Sequence, residues 1–521
     1  MKEAISLALG KPDIVTFPSA HESVRTVAPR PWIVQKFGGT SIGHFASKIV
    51  EEVILPETSE SRVAVICSAI SRSTKASGTT NRLLLACSEL ETDGASFSTI
   101  IDQVRLEHTQ AAEREIRSRE IRGRLIDRIR YECACVVNTL NAAYFLGEIS
   151  PACVGRVVSA GERMSCHYVT AILQDHGREA TCVDVSELSV SAAVPGSWTD
   201  KEFVDAVAAE LSLKACSVPG IPVITGYFGL RSTGTLLSFV GRGYTDLCAA
   251  LVATGLDAAQ LQIWKEVDGV FTADPRHVPD AKLLHSLSIS ELRNLTFYGS
   301  EVVHCAAVDV AKDRNLAMSI RNVRDPLGSG TLVTPDVEAS QEGLMAITKK
   351  SYMAIVSVRS PLGMPGFKFQ SRISDILQKW QFTGELVTIS ESGVSLAIPI
   401  PEDRPYGALQ PADVRLWSAI EELKVQFTAV KVSHCMALLC VVCRLTNSMD
   451  FALACILRVL RDLAVPVRMV LHGAIDTIAG CVIEEAHAEL ATKVLHRDLF
   501  SAQTMASPAS TLYSASLDEI K

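Results

Sequence analysis

Lys36 ends the β-rich run 32–36, and Phe37-Gly38-Gly39-Thr40-Ser41 follows at once. Phe45, Ile49 and Val53 then recur at helical spacing. A strand that stops at a cation, turns through two glycines and opens a helix can seat a phosphate. Glycine lets backbone N–H groups approach an anion, the helix N-terminus adds a favourable dipole, and one lysine supplies a compact positive charge. A lone Gly-Gly also closes an ordinary turn. Four further segments give the chemical reading its weight. They are Ser159-Ala160-Gly161-Glu162-Arg163, Gly241-Arg242-Gly243-Tyr244-Thr245-Asp246, the turn-dense loop from Trp264-Lys265-Glu266 through Asp268-Gly269-Val270-Phe271 to Asp274-Pro275-Arg276, and Phe297-Tyr298-Gly299-Ser300-Glu301-Val302-Val303-His304. Each has a structural explanation alone: Gly161 and Gly243 close turns, Glu162 caps a helix, Asp268-Gly269 makes a β-turn. Their joint appearance in this order is hard to attribute to accident.

Short β-branched runs alternate with helix-length patterns between residue 32 and about residue 335. The runs are 62–67, 154–159, 180–185, 221–225, 236–240 and 261–265. That rhythm predicts an α/β domain with a largely parallel sheet sandwiched by helices, whose ligands bind beyond the carboxyl ends of the strands. On this reading Ser159 to Arg163 follows a strand, just where a helix begins. After the turn-rich segment 325–331 the pattern becomes shorter and duplicated. Strand, helix, strand, strand fall at 354–358, 369–380, 385–390 and 394–398, and again at 436–442, 451–463, 467–471 and 478–483. Neither small unit holds a cluster of candidate catalytic residues, so both read as regulatory modules. The expected organisation is an extension over 1–30, a catalytic domain over 31–335, and modules over 345–425 and 432–510.

The chain has 521 residues, 48% hydrophobic and 21% charged, with a formal net charge of −8. It is long enough for two to four globular domains and gives no electrostatic reason to expect nucleic acid or an anionic membrane as partner. No apolar run approaches the roughly 20 residues needed to span a bilayer. The basic stretch 114–130 interleaves acids with Ile121, Leu125 and Ile129 at helical spacing and reads as one solvated amphipathic helix. The fifteen cysteines stand singly in apolar runs, as free thiols do in a reducing, cytoplasmic setting. Cys440 and Cys443 form a CxxC inside a strand-like run without a second pair at zinc spacing, which predicts core packing.

The strings Lys36-Phe37-Gly38-Gly39-Thr40-Ser41 and Val267-Asp268-Gly269-Val270-Phe271-Thr272-Ala273-Asp274-Pro275-Arg276 resemble those of the aspartate kinases, fungal type, of the amino-acid kinase family. The likeness runs from about residue 32 to 500. It implies an amino-acid kinase fold followed by two α+β ferredoxin-like ACT domains. It also implies transfer of the γ-phosphoryl of ATP to the β-carboxylate of L-aspartate, giving 4-phospho-L-aspartate. The acceptor is already ionised at pH 7, so no general base is needed, and the task is to overcome repulsion between anions. By this resemblance Lys36 is the leading catalytic candidate, contributing on the order of 4 kcal/mol of attraction per close charge pair. Gly38, Gly39 and Thr40 would surround the phosphates. Arg242 would clamp the α-carboxylate, and Glu162 would pair with the α-ammonium. Ser41 and Thr245 would complete the substrate contacts. Asp246 would position the nucleophile or a magnesium ion, and Lys265, Glu266, Phe271 and Arg276 would approach the nucleotide. Mg²⁺ is implied as the partner of ATP, and no side chain is assigned as a metal ligand.

The chain departs from the family pattern in places. Bacterial relatives carry Lys where this chain has Glu301, and Pro where it has Cys305, which predicts a looser start to the following helix. In the first ACT unit, Arg359 to Pro365 and Gly384 to Ser390, with Ile389 in place of a polar side chain, depart from the usual effector-binding strings. Weak or absent feedback by threonine is expected, and the pathway served stays open between general threonine and methionine supply and a dedicated secondary-metabolite copy of it. Two alternatives stay open: a kinase of another amino-acid carboxylate, and a catalytically weak ACT-based sensor. Exposed sheet edges in paired ACT units predict a homo-oligomer.

Overall fold

The computed structural model describes residues 30–71, 78–91, 97–188, 201–229, 243–300, 302–335, 343–359, 366–380, 382, 384–390, 393–400, 412–427, 429–444, 448–473 and 477–501. Arg242, Glu301, the 236–240 run and the 360–365 turn lie outside them. Eight strands form the first sheet: β1 (Trp32–Phe37), β2 (Arg62–Cys67), β3 (Ala180–Val183), β4 (Ile221–Thr225), β5 (Gln260–Lys265), β6 (Ser286–Ser288), β7 (Met318–Asn322) and β8 (Thr331–Thr334). Their order is β3-β4-β2-β1-β5-β7-β8-β6, and every pairing is parallel except β7 with β8. Central strands buried on both faces need continuous apolar runs, which Val63-Ala64-Val65-Ile66-Cys67 supplies.

Helices cover both faces. One core joins the sheet to α1 (Gly39–Lys48), α2 (Thr79–Ser88), α3 (Phe97–Glu115), α4 (Arg119–Leu146) and α5 (Pro151–Asp175). A second joins it to α6 (Lys201–Cys216), α7 (Tyr244–Gly255), α8 (Ile289–Phe297) and α9 (Cys305–Asp313). Two expectations are corrected. Residues 154–159 belong to α5 and not to a strand, because Ser150 caps a helix with Pro151 in its first turn, the Ser150 hydroxyl accepting from the Cys153 amide at 3.3 Å. A short β-branched run reads alike in a buried helix and a buried strand, and here the upstream cap decides. The stretch 114–130 is two helices, broken where Asp175 accepts the amides of Arg117 and Ser118 at 2.9 and 2.8 Å and Ser118 caps α4.

The C-terminal part is one antiparallel sheet of six strands, not two sheets. It holds β9 (Leu344–Arg359), β10 (Leu386–Ser390), β11 (Gly393–Pro399), β12 (Val430–Cys443), β13 (Met469–His472) and β14 (Ile478–Glu484), ordered β10-β11-β9-β12-β14-β13. β9 and β12 pair along their length and break in the middle, at Tyr352 (φ 56°) and Cys435 (φ 55°). Each therefore serves both modules. Ala354, Val356 and Val358 of β9 pack with α10 (Gly366–Lys379) and α11 (Ala412–Gln426), while Ile347 packs with α12 (Met449–Asp462) and α13 (Glu485–Ser501). α11 and α13 have no counterpart in the pattern read from sequence. The opposite sheet face, including Met353, Leu438 and Cys440, joins the core of the eight-stranded half. All fifteen cysteines are free, and Cys440 and Cys443 are core residues of β12. Ile389 is exposed on edge strand β10.

Candidate active site

β4, β2, β1 and β5 are neighbours that end level, with Thr225 paired to Cys67, Cys67 to Phe37, and Phe37 to Trp264. Whatever follows these strands is gathered along one carboxyl edge: Gly226-Tyr227, Ser68, Gly38-Gly39 and Glu266. α1 opens there with Gly38 as its N-cap and no side-chain cap, leaving first-turn amides for a ligand. A Cβ on Gly39 would lie 1.9 Å from the Ala69 carbonyl oxygen, so only glycine lets the loops after β1 and β2 close on each other.

Lys36 Nζ lies 2.7 Å from Asp246 Oδ1, with side chains only 8% and 7% exposed. Asp246 stands in the first turn of α7, whose N-cap Gly243 has φ +104° and packs so closely on His304 that a Cβ would meet its ring at 2.5 Å. The His304 amide donates to Asp246 Oδ2 at 3.1 Å. Burial alone would raise the Asp246 carboxyl, but the charges of Lys36 and Lys265, with hydrogen bonds from Lys36 and the His304 amide, hold it at about 2. Asp246 is a carboxylate at any physiological pH.

Glu162 is buried in the middle of α5, not at a helix start as its sequence context predicts. Its carboxyl accepts from the Tyr227 amide, from Thr245 Oγ1 at 3.3 Å and from the Tyr244 phenol. Burial outweighs these donors and the more distant Lys36, pushing the group up to about 8. Ser68 Oγ donates to Thr245 Oγ1 at 3.0 Å, tying the end of β2 to the same group. Ser41, fully buried, donates to Glu266 Oε1 at 2.7 Å and so joins the loops after β1 and β5.

The structure thus brings together Lys36, Ser41, Glu162, Thr245, Asp246, Lys265 and Glu266 around the glycine turn with Thr40. Phe271 is half-buried, its backbone bridged to Leu283, and Arg276 is exposed with its guanidinium on Asp274 at 2.6 Å. Sequence reasoning assigned nothing to Tyr244, Tyr227, Ser68 or His304. Ser68 and Tyr227 follow the strand runs 62–67 and 221–225, where the carboxyl-edge rule points to them. Tyr244 carries no local signal of its role between Gly243 and Thr245, and only the depth of Glu162 shows what its phenol is for. The expectation of a loosened helix after His304 is corrected: Cys305 opens α9, and the His304 ring caps it by accepting from the Ala306 amide at 3.3 Å.

Chemically, the edge offers ammonium groups and a helix N-terminus to an anion, and a buried acid to a cation. Among the described residues no cluster of three or more His, Cys, Asp or Glu side chains could hold a metal ion. No helix among them is long and apolar enough to cross a membrane. The amino acid kinase family model matches residues 31–322. The aspartokinase of Saccharomyces cerevisiae is 35% identical over 503 residues, covering 91% of this chain and 93% of its own length. Aspartate kinase FUB3 of Gibberella moniliformis is 33% identical, covering 92% of this chain and 100% of its own. The solved structure of E. coli aspartokinase III in complex with aspartate and ADP (R-state) matches with a TM-score of 0.73 at 25% identity, over 90% of this chain and 99% of that one. A chain with this edge, this sheet order and these relatives belongs to the amino acid kinase family, among the aspartokinases.

Proposed function

We propose that the carboxyl edge binds L-aspartate and ATP and transfers the γ-phosphoryl group to the β-carboxylate, releasing 4-phospho-L-aspartate and ADP. The observation that carries this reading is the pairing of a buried cation, Lys36, with a second, neutral-leaning acid, Glu162, on one edge. An amino acid with an acidic side chain presents the complementary charges. Glu162 takes the α-ammonium, which supplies a cation in contact where the described residues offer only neutral donors. Thr245 and Ser41 lie against the acids of the site and orient the substrate chain, and Arg242 of the same string clamps the α-carboxylate. Asp246 pairs with Lys36 and aims it, and Lys36 stabilises the charge that develops on the transferring phosphoryl group. The uncapped turn Gly38-Gly39-Thr40 receives phosphate oxygens, and the loop from Lys265 and Glu266 to Phe271 and Arg276 borders the nucleotide.

Mg²⁺ fits as a companion of ATP rather than as a resident ion, because it binds through phosphates, water and at most one or two carboxylates. When bound it neutralises charge on the β- and γ-phosphates. The reading is tested with purified protein, aspartate, ATP and magnesium in a coupled ADP assay. Turnover is expected with aspartate and not with glutamate, falling about a thousandfold in Lys36→Ala. No ADP release with aspartate, or an unchanged rate in Lys36→Ala, overturns it.

A further inference from the structure

Three thiols meet between α5 and the sheet. Cys182, Val223 and Val65 are in register across β3, β4 and β2, and Cys67 lies two residues beyond Val65, so Cys182 and Cys67 project from one face. Cys166 of α5 packs into the same core, its thiol near enough to those of Cys67 and Cys182 to act on its ionisation. Cys67 and Cys166 are fully buried, and Cys182 alone of the three keeps some exposure. His167, adjacent to Cys166, lies beside Cys182. The His167 Nε2 accepts from Arg128 Nε at 3.0 Å, which puts the proton of the neutral ring on Nδ1, and Glu132 holds Arg128 at 2.9 Å. A polar chain therefore leads to one sulfur. Cys166 first and then His167 outweigh burial and bring Cys182 down to about 6, while burial drives Cys166 well above the ordinary thiol range. A thiolate with a protonated thiol against it is more than packing needs.

We propose that Cys182 and Cys166 form an oxidisable dithiol which a hydroperoxide converts to a disulfide, and that this link weakens aspartate binding through Glu162. The Cys182 thiolate attacks the peroxide: an S–O bond forms, the O–O bond breaks, sulfur is oxidised by two electrons, and the peroxide is reduced to an alcohol or water. The Cys166 sulfur then attacks the sulfenic acid. An S–S bond forms, the S–O bond breaks, and hydroxide leaves with the Cys166 proton as water. The link shortens a sulfur–sulfur contact to about 2.05 Å and draws α5 toward β3. Cys166 is one helical turn past Glu162 on the same helix face, and Cys67 immediately precedes Ser68, whose hydroxyl reaches Glu162 through Thr245. A small shift of α5 thus falls on the aspartate end of the site before the phosphate end.

The link itself is independent of the phosphotransfer reading; its effect on aspartate rests on it. Reduced full-length enzyme is treated with hydrogen peroxide, alkylated, digested and mapped by mass spectrometry, with kinetics run in parallel. The expected product is a Cys166–Cys182 cross-linked peptide, with KM for aspartate raised about fivefold, kcat nearly unchanged, and both reversed by dithiothreitol. Cys182→Ser should be indifferent to peroxide. His167→Phe, which leaves all three thiols in place, should slow linkage about tenfold without changing reduced activity. Linkage at other cysteines, no linkage, linkage without a rise in KM, or a Cys182→Ser enzyme that loses aspartate affinity to peroxide equally would each overturn the proposal. If Cys182→Ser does not fold, an unaltered linkage rate in His167→Phe does so alone. A reduced enzyme that forms the link yet never turns over aspartate would sink the phosphotransfer reading and leave the dithiol standing.

Discussion

Asp246 and Glu162 are two buried acids on one sheet edge, and they are driven in opposite directions. Asp246 faces an ammonium at 2.7 Å and is held at about 2, whereas Glu162 faces an amide, a hydroxyl and a phenol and is pushed up to about 8. Burial is the first cause at both, so the difference lies in what each carboxyl meets. A full cation in contact repays the loss of water; three neutral donors do not. Asp246 and Lys36 form a finished ion pair, whereas among the described residues Glu162 has only neutral donors in contact. On the proposed reading the missing cation is the substrate's own ammonium group.

The largest effect is expected at the finished pair. Asp246→Asn leaves Lys36 buried without its counter-charge, and should cut kcat about a thousandfold and cost roughly 3–5 kcal/mol in chemical denaturation. Normal stability in that variant would remove Asp246 from its role of holding Lys36. Glu162→Gln comes next: kcat/KM for aspartate should fall about a hundredfold, mostly through KM, because a bound ammonium loses its charged partner. The same variant should be more stable than wild type without substrate. Glu162 is titrated at a higher pH folded than unfolded, so its penalty is absent below the unfolded value, grows as pH rises, and is complete above about 8. Melting temperatures of the two proteins should therefore coincide near pH 4 and separate by several degrees at pH 8.5. Tyr244→Phe is the smallest change. It removes one of the three donors, and should lower kcat/KM for aspartate about fivefold while moving its pH inflection upward. A loss of activity without any movement of the inflection would make Tyr244 a packing residue only.

Much of this site was legible in the sequence because short local strings carry it. The glycine turn after Lys36, the acid three residues past Gly243 and the Lys265-Glu266 pair at the end of β5 all fall where strand ends place them. The strands 62–67 and 221–225 read directly because buried parallel strands are continuous apolar runs. The environment of Glu162 was not legible. Its string resembles a strand-to-helix junction, yet the helix starts at Ser150, and the depth of Glu162 depends on Thr79, Ala69 and Leu83 packing against Gly161 from distant segments. The sharing of β9 and β12 between both C-terminal modules was equally hidden, since two mid-strand residues with positive φ leave no mark in a hydropathy pattern. Tyr244 belongs with these: its role exists only because α5 and α7 meet.

On the proposed reading Glu162, with only neutral donors in contact among the described residues, must ionise to take the substrate's ammonium. The direct measurement is kcat/KM for aspartate between pH 6 and 9.5, in wild type and in Glu162→Gln. Wild type should rise about tenfold per pH unit up to an inflection close to 8, and the variant should show no such inflection. A wild-type profile that is flat across that range, or an inflection that survives in Glu162→Gln, would contradict the account.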